Sequence, residues 1–393
     1  TTTFVISRAS FGRNGNRSVS LFNWLTQVGF ESADLALIVF AALVLLGKAG
    51  WHLNTPEKVG LIVVVAACQT VMPTLGHATI SKLLHYLLYP FIALFVVMAI
   101  LAGSKISAAH FGSSAPLGTF FAGLAVSISV CGLSWVEVGN DYSRYLPRRT
   151  PRRTTFWAVT IGAFVPSLLL MTLGAAVFTI TSKATDPISG LPAAFSSWFL
   201  VPYLIVAILQ LFSINSLDLY SSGLTLQALG LPIKRYGAVL VDTAVCLVLT
   251  SFVVFSNSFN RILSDFLLFT IVWLAPWCGI FLTDWLLRRG RYSLNDLVQP
   301  RGGLYWRNGG FHWQAIIALL LGIGASLLWL NAYPVYESVL SNATGGADFS
   351  AAMGFFVAAI AYFILARQGV RRELSKTPYA TASGTSALQP TDG

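Results

Sequence analysis

Charged side chains are scarce in this chain of 393 residues, in which Asp, Glu, Lys and Arg together make up 10%. A typical soluble domain carries about 25%. Hydrophobic residues reach 55%, and the mean hydropathy is +0.70. The deficit of charge excludes a soluble globular protein, and the composition instead predicts an all-α polytopic membrane protein.

Motifs of catalysis and metal binding are also missing. The four cysteines all lie in apolar segments without metal-ligand spacing, and the five histidines are scattered along the chain. The sequence contains no phosphate-binding loop, no HExxH helix and no nucleophile elbow. We therefore expect no enzyme activity, no metal site and no cofactor.

Long apolar segments are what the chain has instead. A helix that spans a bilayer needs roughly 20 apolar residues. The sequence predicts ten such helices in one transmembrane domain over residues 1–372, with no soluble domain between them. Their approximate ranges are 22–46, 58–75, 84–103, 117–140, 155–181, 198–222, 237–257, 262–287, 313–332 and 349–367. The polar segment 373–393 is predicted to be a disordered cytoplasmic tail.

The positions of the basic residues predict the orientation in the membrane, because cytoplasmic loops carry an excess of Lys and Arg. We place residues 1–21 in the cytoplasm and let the ten helices alternate. Of the 25 Lys and Arg, those that then fall outside are Lys48, Lys58, Lys105, Lys183 and Arg261. We predict a multi-pass protein of the cell (inner or plasma) membrane with both ends cytoplasmic. The net charge of +10 is thus a topology signal, and no nucleic-acid partner is expected.

The segment VCGLSWVEVGNDYSRYLPRRTPRR, residues 130–153, combines a helix break with polar side chains. Gly132 and Gly139 interrupt the fourth predicted helix, and Trp135 and Glu137 lie between them. Such a helix is costly in lipid unless it lines a protected cavity. Its free backbone groups can bind a polar ligand, and Trp135 can stack on a flat ring. A simple packing kink is the alternative.

The first predicted helix carries a polar stripe. Gln27, Phe30, Glu31 and Asp34 lie at helical spacing and share one face. A carboxylate near mid-membrane must be paired, protonated or in a wet cavity. The stripe therefore indicates either a binding site or a structural pair with another helix.

The sixth predicted helix contains the polar run QLFSINSLDLYSS at residues 210–222. Asn215 and Asp218 share a face and could bind an amide-like edge or, with carbonyl oxygens, a small cation. Hydrogen bonding between helices is the alternative, and for Ser213 the two interpretations stay open.

The segment DYSRYLP at residues 141–147 resembles the signature of the purine/cytosine permeases, within the nucleobase:cation symporter-1 family. Other stretches resemble the family in the same order along the chain. They are SRASFGRNGN at 7–16, YSSGLTLQ at 220–227, PWCGIFLTD at 276–284 and RRGRY at 288–292.

The resemblance implies a leucine-transporter-like five-plus-five inverted repeat of twelve helices, of which ten would be present and two would precede Thr1. It implies a secondary active transporter that imports a nucleobase such as cytosine, or a related purine or pyrimidine heterocycle, by cation-coupled alternating access. Transport of allantoin, hydantoin, uracil or a pyrimidine vitamin precursor is the alternative. A non-transporting truncated membrane remnant is an alternative of another class.

The resemblance also implies roles for particular residues. By position, Phe30 and Trp135 would sandwich the ring of the substrate. The side chains of Asp34, Asn215 and Asp218 would hydrogen-bond its edge.

Cation coupling would involve Glu31, Glu137 and Ser213. Sodium-dependent members of the family carry two adjacent hydroxyls where this chain has Ser213 followed by Ile214. The coupling ion is therefore H⁺ or Na⁺, and we predict H⁺. The partners expected are the substrate and the lipid bilayer, and the sequence carries no signal of oligomeric state.

Overall fold

A computed structural model describes residues 1–75, 77–106, 116–147, 149–256, 258–299 and 301–376. Apart from one two-stranded hairpin, its regular elements are helices, which confirms the all-α prediction. The helices are α1 (Thr3–Ile6), α2 (Arg8–Phe11), α3 (Gly15–Lys48), α4 (Thr55–Leu75), α5 (His77–Gly103), α6 (Leu117–Ile128), α7 (Ser134–Val136), α8 (Gly139–Ser143), α9 (Arg152–Ile180), α10 (Ser197–Leu229), α11 (Arg235–Phe255), α12 (Phe259–Arg288), α13 (Leu294–Val298), α14 (Trp313–Leu327), α15 (Val339–Ala343) and α16 (Ser350–Lys376).

The long helices form because their sequences are apolar over whole spans, so that every backbone group is satisfied within the helix. Within the described residues, nine helices are long and apolar enough to cross a membrane. Helix α4 is not among these nine, but its 21 residues cover the predicted span 58–75.

Helix α3 is the centre of one helix group, in which it packs against α10, α11 and α4. Apolar side chains of these four helices form a shared core, which includes Val28 and Leu35 of α3 and Cys246 of α11. A second group consists of α12, α14 and α16, and the indole of Trp277 is fully buried there. The polar stripe of α3 therefore faces other helices rather than lipid.

The helix that was predicted over residues 117–140 is interrupted. It runs as α6, continues as a π-helical turn over Ser129–Leu133, and resumes as α7. The chain then leaves helical hydrogen bonding at Glu137 and Val138 before α8 begins at Gly139. π-Turns of this kind frequently mark functional sites.

Several predicted boundaries differ from the structure. Helix α3 begins at Gly15 rather than near 22, α5 begins at His77 rather than near 84, and α10 ends at Leu229 rather than near 222. Helix α14 ends at Leu327 rather than near residue 332, because β1 (Asn331–Ala332) pairs antiparallel with β2 (Tyr336–Glu337). Helix α16 continues to Lys376, four residues into the segment that was predicted to be a disordered tail. Glu373 is held there by ion pairs to two arginines. Residues 377–393 lie outside the described residues.

Candidate functional site

Five carboxyl groups come together where α3, α10, α11 and the broken helix meet. Asp218 interacts electrostatically with Asp34, Glu31 and Glu137, and Glu31 interacts in the same way with Asp242. Helix α10 contains no Lys or Arg, and α3 and α11 carry them only in their end turns. Carboxyl groups this close together, without a basic partner, are neutralised only by bound protons or by a cation.

Glu31 lies at the centre of the cluster and is fully buried. The thiol of Cys246 on α11 donates a hydrogen bond to Glu31 Oε2 at 3.1 Å. The other carboxyl oxygen, Oε1, is buried without a hydrogen-bond partner among the described residues. Because an unsatisfied buried oxygen is costly, this atom is available to a proton, a water or a ligand.

Asn215 connects α10 to both α3 and α4. Its side-chain amide donates to the backbone carbonyl of Glu31 at 3.2 Å and to Gln69 Oε1 at 2.7 Å. Asn215 Oδ1 and Gln69 Nε2 are buried and have no partner in the described part of the chain. One acceptor and one donor are therefore free beside Glu31.

Glu137 ties the break in the fourth predicted helix to α3. Gln27 Nε2 donates to Glu137 Oε1 at 2.8 Å, and both side chains are buried. Glu137 Oε2 and Gln27 Oε1 have no partner within the described ranges. The position at which the backbone leaves helical geometry thus carries a second incompletely satisfied carboxyl group.

Asp34 and Asp218 are half-buried, unlike the other members of the cluster. In the described residues, neither carboxylate has a hydrogen-bond partner within the protein. Asp34 follows Glu31 by three residues on α3, and Asp218 follows Asn215 by three on α10. Each aspartate therefore shares a helix face with a fully buried polar residue, Asp34 with Glu31 and Asp218 with Asn215, and is itself more exposed.

Asp242 on α11 is fully buried and is satisfied at both oxygens. The indole Nε1 of Trp24 donates to Asp242 Oδ1, and the hydroxyl of Ser222 donates to Asp242 Oδ2, each at 2.6 Å. This carboxylate links α3, α10 and α11 one layer away from Glu31.

The aromatic rings predicted to bind the substrate are not in contact. Phe30 is half-buried and packs edge-on against Phe266 of α12, with ring centroids 5.1 Å apart. Trp135 is 44% exposed, and in the described residues it makes no ring contact. A ring sandwich would need a substrate between them.

Ser213 is fully buried and donates its hydroxyl to the carbonyl of Leu209 in its own helix at 2.8 Å. Such back-bonding satisfies the hydroxyl proton locally and leaves only oxygen lone pairs for a cation.

A cavity of about 240 Å³ lies against α3, between α11 and α12. Gly29, Ser32 and Ala33 of α3 form one wall, and Phe266 forms part of the opposite wall. A larger cavity of about 620 Å³, which Asp186 and Arg261 help to line, lies at the end of α3 that is away from the N-terminus. Both cavities border α3, the helix that contributes Glu31 and Asp34 to the carboxyl cluster.

The DYSRYLP segment connects helices and borders the cluster, because Asp141 interacts electrostatically with Glu137 and Tyr142 with Asp218. The hydroxyl of Tyr142 bonds to the carbonyl of Leu217 at 3.2 Å and to Ser221 at 2.9 Å on α10. Asp141 is buried and accepts from the backbone N–H of Thr3 at 3.0 Å. The segment thus fastens α8 to α10 and to the N-terminal α1.

Sequence reasoning did not place Gln69, Cys246 or Asp242 at the site. Gln69 follows the apolar run LIVVVAAC at residues 61–68 within a predicted span, and an amide at such a position is the signal that could have marked it. Cys246 and Asp242 are one helical turn apart on α11, and that spacing could have placed them on one face.

The family model for permeases for cytosine/purines, uracil, thiamine and allantoin matches residues 1–354 of this chain. YxlA of Bacillus subtilis (strain 168), which is named as a purine-cytosine permease, is 26% identical over 386 residues, covering 93% of this chain and 79% of the relative. The purine-cytosine permease fcyB of Emericella nidulans is 24% identical over 389 residues, covering 92% of this chain and 72% of the relative.

Two solved structures are similar in fold. One is Mhp1, a nucleobase-cation-symport-1 family transporter, in a closed conformation with bromovinylhydantoin bound. It matches with a TM-score of 0.72 and 20% identity over 96% of this chain and 80% of that chain. The inward-facing conformation of Mhp1 matches with a TM-score of 0.67 over 97% and 80%. These matches confirm the predicted leucine-transporter-like fold.

Proposed function

Because the chain belongs to the family of permeases for cytosine/purines, uracil, thiamine and allantoin, we propose that it imports a nucleobase such as cytosine by cation-coupled alternating access. The family consists of transporters, so the chain is a multi-pass membrane transporter and not an enzyme. Transporters of this fold bind substrate and ion near the middle of the membrane, where broken helices expose backbone groups.

The observation that carries the proposal is the set of incompletely satisfied polar groups inside the membrane. Asp34 and Asp218 are acceptors for ring N–H groups, and the unpartnered Asn215 Oδ1 adds another. A ring with N–H and C=O groups along one edge matches such a set. Phe30 and Trp135 would enclose the two faces of the ring when substrate is bound. Purines, uracil, allantoin and hydantoins present a similar edge, so they are the competitors to test.

Protons are the coupling ion that the carboxyl cluster supports best. Glu31 and Glu137 each keep one carboxyl oxygen that is buried and without a partner in the described residues. In contrast, Ser213 stands without an adjacent hydroxyl at position 214. If Na⁺ were the coupling ion, Ser213 would supply one of its oxygen ligands.

The orientation follows from the basic residues. We place the chain in the cell membrane with both ends in the cytoplasm, because the arginines of segment 144–153 and of segment 288–307 then lie on the cytoplasmic side.

The proposal is tested by reconstituting the full natural protein in liposomes and measuring uptake of radiolabelled cytosine under an imposed proton gradient, a sodium gradient, or neither. We expect accumulation that follows the proton gradient and is reduced by excess unlabelled nucleobase. Asp34→Asn should change which competitors are accepted. The matched control is Asp265→Asn, which alters a carboxylate of α12 that faces Arg261.

Accumulation driven by sodium alone would reverse the choice of ion. Uptake of allantoin or a hydantoin with no uptake of nucleobases would show that the substrate is one of those compounds instead. A folded protein that transports none of these compounds would support the truncated remnant.

A further inference from the structure

Three helices contribute polar residues at two levels along the same seam. Helix α3 contributes Trp24 and Glu31, and α10 contributes Ser222 and Asn215, in each case seven residues apart. Seven residues of α-helix correspond to a rise of about 10 Å, with both side chains on one face. Helix α11 contributes Asp242 and Cys246, one turn apart. These six residues define an upper level around Glu31 and a lower level around Asp242.

The lower level lies toward the N-terminal end of α3 and the C-terminal end of α10. At this level, Asp242 accepts from Trp24 and from Ser222, both at 2.6 Å. At the upper level, Cys246 donates to Glu31 at 3.1 Å, and Asn215 donates to the backbone carbonyl of Glu31 at 3.2 Å. Each level therefore holds one carboxyl group with donors from neighbouring helices.

Ser222 connects the two levels. Its hydroxyl donates to Asp242 Oδ2 and also interacts with the carboxyl group of Glu31. A hydroxyl can donate one hydrogen bond and accept others at the same time. Glu31 Oε1 is fully buried and has no hydrogen-bond partner among the described residues, so a protonated Glu31 has an oxygen from which to donate.

We propose that Asp242 is a second proton carrier, which receives the coupling proton from Glu31 through the hydroxyl of Ser222. This inference rests on the proposed proton-coupled transport. In the transfer, the O–H bond of protonated Glu31 breaks and the proton bonds to Ser222 Oγ. The original proton of Ser222 passes to Asp242 Oδ2. The products are the Glu31 carboxylate and protonated Asp242, and the hydroxyl is regenerated.

The surroundings of Asp242 suit this role. The titratable groups that act on it are Glu31 from α3 and Cys246 from its own helix. Asp218 of α10 acts on Glu31, and in the described residues α4 contributes no charged group to Asp242. Among the described side chains, no basic residue acts on Asp242, so Asp242 can alternate between protonation states. Trp24 covers it on the side of the α3 N-terminus, toward which the proton would leave.

The test compares net transport with exchange. In net transport the carrier must release its proton before it returns empty. In exchange of labelled for unlabelled substrate it returns loaded and keeps the proton. The variants are Asp242→Asn, Ser222→Ala and Ser222→Thr in the full natural protein in liposomes, with Asp265→Asn as the matched control. For Asp242→Asn and Ser222→Ala we expect proton-driven accumulation to fall by about 100-fold, the lower end of the effect of a lost proton-transfer group, with exchange retained. Ser222→Thr keeps the hydroxyl and should restore accumulation.

Normal accumulation by Asp242→Asn overturns the proposal. So does parallel loss of exchange and accumulation in a folded Asp242→Asn, since Asp242 would then only position the helices. If Asp242→Asn does not fold, Ser222→Ala and Ser222→Thr decide: equal accumulation by both overturns the relay. If the unaltered protein exchanges nucleobase but ignores the proton gradient, the proposed coupling has failed rather than the relay alone.

Discussion

Arg288 at the end of α12 gives a prediction whose magnitude follows from its contacts. Its side chain is fully buried, and its guanidinium donates from Nε to Asp284 Oδ2 at 2.8 Å and from Nη2 to Glu373 at 3.0 Å. Glu373 also pairs with Arg307. The four side chains hold two positive and two negative charges, so the group is neutral and joins α12 to α16.

Replacing Arg288 by Met removes one charge and leaves Asp284 fully buried and Glu373 and Arg307 partly buried. Asp284 keeps hydrogen bonds from Tyr362 at 2.7 Å and Tyr292 at 3.2 Å, but it loses its counter-charge. Breaking a buried pair on one side costs about 3–5 kcal/mol of the free energy of unfolding. Since about 1.4 kcal/mol is a tenfold change in an equilibrium constant, the unfolded fraction should rise by at least about 100-fold.

The double variant Asp284→Asn with Arg288→Met distinguishes pairing from packing. It restores neutrality, because the Glu373–Arg307 pair remains, and it should be more stable than Arg288→Met alone. We expect a coupling energy of about 1–3 kcal/mol between the two positions. Denaturant unfolding in detergent micelles measures it, and Arg289→Met, at the exposed neighbouring position, is the matched control. Additive effects of the two substitutions would refute the argument.

Three further predictions concern the site and the topology. Trp135→Ala should weaken nucleobase binding by roughly 10-fold or more, and Trp135→Phe by less, because a stacked ring contributes about 0.5–1.5 kcal/mol beyond burial. Equal affinity of a folded Trp135→Ala in a thermal-shift titration would show that it does not bind the ring. Gly29→Ala should destabilise the protein by about 1–3 kcal/mol, because its Cβ would lie 2.2 Å from the Phe266 ring; unchanged unfolding would show that the ring moves freely. In a cysteine-free background, Ser104→Cys should react with an impermeant thiol reagent in intact cells and Arg149→Cys should not, and labelling at 149 would contradict the orientation.

The apolar spans were predictable because hydrophobic length is a local property of the sequence. The same holds for the intramembrane acids: Glu31, Asp34, Glu137 and Asp218 each stand out against apolar neighbours. Their electrostatic interaction around Asp218 depends on how four helices pack. The sequence therefore predicted these four acids as candidate site residues before any helix had been placed against another.

Partners across helices were not predictable. Asp242 lies near the end of a predicted span, and its contacts with Trp24 and Ser222 come from two other helices. Phe266 is one of 27 phenylalanines, and only packing distinguishes it as the neighbour of Phe30. Helical spacing gives the face of a residue but not the helix that this face meets.

The two groups of buried acids differ in how their charge is neutralised. This difference distinguishes acids that hold helices together from acids that are proposed to carry protons. Asp284 and Glu373 are matched by Arg288 and Arg307, and these ion pairs hold helices together. The acids around Glu31 have no basic residue on α10 and none in the interiors of α3 and α11. Pairing with a fixed positive charge would hold a carboxyl group in its ionised form and prevent it from binding a proton. The absence of such charges around Glu31 is therefore what proton coupling requires, at the cost of leaving buried oxygens unsatisfied.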